Sequence, residues 1–73
     1  MKPLAPMQSK VLAFINEHIR AECMPPTRAE IATHFGWASP NAAEECLRAL
    51  EKKGAIQIKR GTSRGIRVTG LVS

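Results

Sequence analysis

Between Ser39 and Gly54 the chain marks out one helix from end to end, and every other segment must pack around it. Ser39 offers a hydroxyl to cap the N-terminus. Pro40 fits the first helical position, where a missing N–H costs nothing. Lys52 and Lys53 suit the negative end of the helix dipole. Gly54 is the natural left-handed residue just past the end. At about 100° per residue, Ala43, Leu47 and Leu50 share one face. Asn41, Glu45, Arg48 and Lys52 share the opposite one, flanked by Ala42 and Ala49. The helix therefore has an anchoring side and a polar, small-residue side fit to be a reading surface.

The preceding segments supply two more helices. Residues 1–5 read as loose. From Pro6 to Glu22, Val11, Leu12, Ile15 and Ile19 form one apolar stripe, with Phe14 beside it to cover a neighbouring element. Pro25-Pro26 bias the residue before them out of the helical region, so this helix stops before Met24. Cys23 then stands where a C-cap glycine would be convenient, and a left-handed Cys23 carries about 1–2 kcal/mol of strain. Thr27-Arg28-Ala29-Glu30 is a capping box that opens a short helix to Phe35, with Ile31, Ala32 and Phe35 inward and Gly36 ending it. Two short helices joined by about four residues with a glycine form a helix-turn-helix pattern. Trp37 in the joint reads as packing.

After Gly54 the period changes. Ala55 to Lys59 and Ile66 to Thr69 alternate apolar and polar, with the glycine-containing loop Arg60 to Gly65 between them. The expected fold is a single domain over residues 1–73, mainly α with a small β-hairpin. It is a three-helix winged helix-turn-helix with helices about 6–22, 28–35 and 40–53 and wing strands about 56–59 and 66–69. Charge agrees with that. The net charge is +5. Residues 46–73 hold seven of the eleven Lys and Arg but one of the six glutamates, so the basic half is the helix end and the hairpin. A basic hairpin behind a recognition-type helix points to a polyanion, here duplex DNA.

Other chemistries find less support. Cys23 and Cys46 make no disulfide framework, and reduced thiols are the default reading. No apolar run approaches a membrane span, no signal peptide is evident, and a cytoplasmic, nucleoid-associated protein without membrane partners is expected. His18 and His34 with the two cysteines match no zinc spacing, and the chain has no Asp; neither metal nor cofactor is expected. Ser9 and Lys10 are adjacent on a helix and point apart, so they form no dyad, and no enzymatic function is read.

The residues also resemble a known family. Met24-Pro25-Pro26-Thr27-Arg28-Ala29-Glu30-Ile31-Ala32, Ser39-Pro40-Asn41-Ala42-Ala43-Glu44-Glu45 and Ser63-Arg64-Gly65-Ile66-Arg67 are similar to the N-terminal DNA-binding domain of LexA, the bacterial SOS repressor. The resemblance covers nearly the whole chain. It implies binding of double-stranded operator DNA in the DNA-damage response. A second copy would pair on a palindrome, commonly CTGT and its inverted repeat, weakly in the absence of a C-terminal domain. In full-length members that domain carries a Ser-Lys dyad, which cleaves a linker when activated RecA binds; this chain ends before both, so RecA is a partner only of a longer protein. The family's base-contacting positions fall on Ser39, Asn41, Ala42, Glu44 and Glu45. Cys46 stands where His is common, Ala38 where a basic residue is common, and Cys23 where Gly is common. The loss of a basic residue at position 38 implies lower affinity.

The chemistry of these side chains fits that assignment. Asn41 has the donor and acceptor to bridge adenine N6 and N7, or it serves the helix start. A carboxylate facing phosphates is repelled, so Glu45 needs a specific partner such as cytosine N4. Glu44 can do the same, or pair with Arg48 four residues on. Ala42 can touch a thymine methyl, and Ala49 has helix propensity alone to explain it. Arg28, Arg48, Lys52, Lys53, Arg60, Arg64 and Arg67 are candidate backbone contacts, which give affinity and register rather than sequence. Arg64 has a second possible place in the minor groove. With about six phosphates neutralised per half-site, the log–log salt slope is near −5. The alternatives are a winged-helix module that binds an acidic protein, or a non-specific nucleic-acid binder.

Overall fold

Proline and capping chemistry set the element boundaries in the computed structural model, which describes residues 3–62 and 64–69. The elements are helix α1 (Pro6–Glu22), helix α2 (Arg28–Phe35), helix α3 (Pro40–Lys52), strand β1 (Ile56–Ile58) and strand β2 (Ile66–Val68). Three helices and a two-stranded antiparallel hairpin make the expected winged helix-turn-helix. The expectation of a loose start falls partly on Met1 and Lys2, and the hairpin loop includes Ser63; these three lie outside the described residues.

Each helix end follows from its residues. Pro6 opens α1, and the Ala5 N–H donates to Gln8 Oε1 at 3.0 Å in place of a side-chain cap. The α1 C-terminus is Cys23, left-handed at φ 62°, with its N–H donating to the Ile19 carbonyl at 2.8 Å. In α2 the Thr27 hydroxyl accepts from the Glu30 N–H at 3.0 Å while Glu30 Oε1 accepts from the Thr27 N–H at 2.8 Å. Both orphan donors of the capping box are thereby satisfied. Helix α3 ends at Lys52, one residue before its expected limit, because Lys53 drifts to ψ −2°. Gly54 at φ 83° then lets its own N–H reach the Glu51 carbonyl (3.0 Å) and the Ala55 N–H reach the Leu50 carbonyl (2.9 Å). That pair of bonds is the Schellman motif, and it brings buried Ala55 back onto buried Leu50.

The core is Val11 and Ile15 of α1, Ile31 of α2, Ala43, Leu47 and Leu50 of α3, and Ala55, Ile56 and Ile66 of the hairpin. All three expected anchoring residues of α3 are fully buried. Helix α3 packs on α1, α2 and β1, so it touches every layer of the domain. Phe14 does cover a neighbour: its ring stacks on His34 with centroids 4.0 Å apart and meets Phe35 edge-on. Trp37 stacks on Phe35 at 5.0 Å, so the turn before α3 is closed by aromatic packing.

In the hairpin, Ile56 pairs with Val68, Gln57 with Arg67 and Ile58 with Ile66. Ile56 and Ile66 face the core, while Gln57 and Arg67 face solvent. The strands are one residue shorter at their ends than expected, but the pairing continues as single bonds. The Lys59 N–H reaches the Gly65 carbonyl at 2.6 Å, and the Thr69 N–H the Ala55 carbonyl at 3.0 Å. Gly65 is required by space: a Cβ there would drive into the Lys59 carbonyl oxygen and lie 2.8 Å from Thr62 Cγ2.

Candidate nucleic-acid interface

Burial of Ala43, Leu47 and Leu50 fixes the rotation of α3 about its axis, and with it the face turned to solvent. Asn41, Glu45, Arg48 and Lys52 are exposed there, with Ala42 and Ala49 half-buried at the edges. Ser39 Oγ accepts from the Asn41 N–H at 3.1 Å, so the hydroxyl serves the helix start and leaves the Asn41 amide outward. Among the described residues Glu45 has no ion pair and no side-chain hydrogen bond. Ala38, next to the cap, is exposed.

Glu44 is placed differently from its neighbour. Its Oε1 accepts from Arg28 Nε of α2, and its Oε2 accepts from Arg48 Nε at 3.0 Å. The Arg28 and Glu44 side chains keep only 23% and 27% of their exposure, whereas Arg48 keeps 74%. The Arg28 hydrogen bond, helped by Arg48, holds the Glu44 carboxyl below its ordinary value of 4.5, against the opposing effect of burial. The sequence made the Arg48 pair readable as an i,i+4 spacing. The Arg28 bond spans two helices, and no periodicity announces it.

Between α3, the start of α2 and the hairpin lies a cleft of about 820 Å³. Arg28, Arg48, Lys59 and Arg60 line it, with Glu44 and Glu51 on the same wall. Glu51 was not singled out by sequence. Its Oε2 accepts from the Ile58 N–H at 3.0 Å, tying strand β1 to the end of α3. Lys53 turns toward α1, donating to Gln8 Oε1 at 2.7 Å. Lys52, Arg60 and Arg67 are exposed.

Arg64 does not stand out at the wing tip. Its guanidinium turns back onto the start of α2, where Nη1 donates to Glu30 Oε1 (3.0 Å) and to the Pro25 carbonyl (2.9 Å), and Nη2 to Glu30 Oε2 (3.2 Å). The bond from the Thr27 N–H and those from Arg64 keep the Glu30 carboxyl below its ordinary value. His18 lies against the same carboxylate, Nε2 3.8 Å from Oε1, while its Nδ1–H donates to the Met24 carbonyl at 2.8 Å. Cys46, half-buried on α3, is a free thiol whose pKa burial pushes up; Cys23 is free and exposed. Among the described residues no three His, Cys or Glu side chains group as metal ligands, and no helix is long and apolar enough to cross a membrane.

Comparison with known proteins points the same way. The family model described as LexA DNA binding domain matches residues 1–65. The LexA repressor of Shewanella baltica is 58% identical over 72 residues, covering 99% of this chain and 35% of the repressor. Those of Shewanella denitrificans and Shewanella amazonensis are 59% and 57% identical, over 94% and 96% of this chain and 34% of each relative. The chain thus spans about a third of the length of the curated relatives it matches.

Proposed function

Because the chain belongs to the LexA DNA-binding-domain family, we propose that it is the part of a LexA-type repressor that binds duplex DNA, with α3 as the reading helix. The observation that carries this is the split of α3 into a fully buried face and an exposed one bearing Asn41 and Glu45, with half-buried Ala42 at its edge, beside a basic cleft. A helix so fixed can enter a major groove, where Asn41 bridges adenine N6 and N7, Glu45 accepts from cytosine N4 and Ala42 meets a thymine methyl. Ser39 and Glu44 lie at the same end, each already bonded within the protein, and reach bases only through their remaining lone pairs. Arg28, Arg48 and Arg60 would hold the phosphates of the strand that runs over the cleft, with exposed Lys52 and Arg67 outside it and Lys53 joining once released from Gln8. The operator in this reading is an SOS-type palindrome occupied by two copies, which blocks transcription from the promoter beneath. Self-cleavage and the response to RecA belong in this reading to the remaining length of a full-size relative.

A titration tests this. Labelled CTGT-containing palindrome and a scrambled duplex are mixed with the protein at two salt concentrations, and the palindrome is expected to bind more tightly. Equal affinity would leave only a non-specific binder; no binding to either at low salt would favour a protein partner. Glu45→Ala is expected to relax preference at one base pair by about 1–3 kcal/mol, whereas Lys52→Ala weakens all duplexes alike.

A further inference from the structure

Glu30 does more than close the first turn of α2. Its two oxygens receive the Arg64 fork from the hairpin, and the Pro25 carbonyl takes a further bond from the same guanidinium. We propose that Glu30 and Arg64 form a strut that sets the angle of the wing on the helix-turn-helix, making both of them positioning residues for DNA binding rather than DNA contacts. This rests on the DNA-binding reading above.

Three observations carry it. First, Arg64 is where force on the hairpin is best applied. It lies two residues before the first residue of β2, its carbonyl accepts from the Ile66 N–H at 2.9 Å, and the intervening Gly65 accepts the bond from Lys59 that closes the loop. Second, a hairpin with three-residue strands is marginal alone and needs support from outside. That support comes from both edges: Glu51 of α3 takes the Ile58 N–H, and Glu30 of α2 takes Arg64. Third, a planar guanidinium held at two nitrogens by one carboxylate is geometrically committed, and its charge is already answered. A phosphate reaching it would have to displace Glu30, and little counterion release would follow. The wing's own contacts with phosphate then fall to Arg60 and Arg67.

The test uses the 73-residue chain and four variants: Glu30→Gln, Arg64→Gln, Arg64→Lys and the double Glu30→Gln/Arg64→Gln. Glutamine at position 30 keeps the capping box, since Gln also accepts from the cap N–H. In the free protein, amide exchange at Lys59 and Ile66 is expected to quicken about two- to fivefold in every variant, the size of a partly exposed ion pair. On the palindrome, all four are expected to lose about the same two- to fivefold in affinity with an unchanged salt slope, because each removes the same strut. Arg64→Lys is the sharpest arm: it keeps the charge but loses the fork, so a strut is broken and a phosphate contact is kept. Wild-type binding by Arg64→Lys, tighter binding by Glu30→Gln with a flatter slope for Arg64→Gln, or unchanged wing exchange in Glu30→Gln would each overturn the proposal. Should the unaltered chain bind no duplex, the DNA reading falls, and the exchange rates alone decide whether the strut exists.

Discussion

Replacing Glu44 by Gln separates two roles that the sequence leaves side by side, base reader and counter-charge. The carboxylate lies between Arg28 and Arg48. Removing its charge costs folding stability from both pairs. The Arg48 pair is an exposed i,i+4 contact worth a few tenths of a kcal/mol. The Arg28 pair is mostly covered and is worth about 1 kcal/mol. A loss near 1–1.5 kcal/mol lowers Tm by roughly 4–12 °C in a chain of this size. At the DNA the sign reverses. Two of the six proposed phosphate contacts, Arg28 and Arg48, share the Glu44 charge, which offsets about one of them, for an effective count of about five and a log–log salt slope near −4.5. Glu44→Gln restores the sixth and steepens the slope by about 0.9. At 0.1 M salt that amounts to about eightfold tighter binding, falling to about fourfold at 0.2 M, on scrambled and palindromic duplexes alike. Fluorescence anisotropy over a salt series measures both quantities. Weaker binding confined to the palindrome, with the slope unmoved, would refute the counter-charge argument and return Glu44 to base readout.

Three further outcomes follow from geometry. Gly65→Ala pushes a methyl group into the Lys59 carbonyl and against Thr62, so thermal unfolding should show a loss of about 1–3 kcal/mol, and an unchanged Tm would contradict the packing. Cys23→Gly relieves the left-handed strain at φ 62° but loosens the unfolded chain, for a net gain of about 0.5–1 kcal/mol; urea midpoints should rise at constant m, and a fall would show that Cys23 is held there by something other than backbone need. Glu30 and Glu44 both have carboxyls depressed by their arginines and, for Glu30, the Thr27 N–H. A depressed carboxyl stabilises the fold above its ordinary value of 4.5 and loses that contribution as pH falls through the folded value. The urea midpoint should therefore hold from pH 7 to about 5 and drop below 4.5, less steeply in Glu30→Gln/Glu44→Gln; a wild-type midpoint constant to pH 3 would sink the linkage.

The local chemistry of the fold was legible because it is written at short range. Thr27 and Glu30 are three residues apart, Pro6 and Pro40 open their helices, and Gly36 and Gly54 close theirs, so periodicity and capping place the helices almost to the residue. The alternation after Gly54 places the hairpin for the same reason. What sequence could not convey is which charges answer each other across elements. Arg28 with Glu44, Arg64 with Glu30, and Lys53 with Gln8 are separated by 16, 34 and 45 residues. Sequence offered Arg28, Lys53 and Arg64 to phosphate, with the helix dipole as a second role for Lys53 and the minor groove for Arg64, but gave none of them these partners, because a long side chain's direction depends on which carboxylate or carbonyl the fold brings within reach. Glu51 was passed over for a related reason: its partner is a backbone N–H of β1, which a pattern of side chains does not display.

The full burial of Ala43, Leu47 and Leu50 has a consequence for anyone wishing to redirect this helix to another sequence. Because the anchoring side chains point away from the exposed face, residues 41 and 45, and with less room half-buried 42, can be exchanged as a small alphabet without opening the core. Positions 39 and 44 are not letters of that alphabet: one carries the helix cap, the other the tie to α2. A library confined to the three exchangeable positions samples new specificities on a constant scaffold, whereas one that includes all five spends most of its members on altered folding.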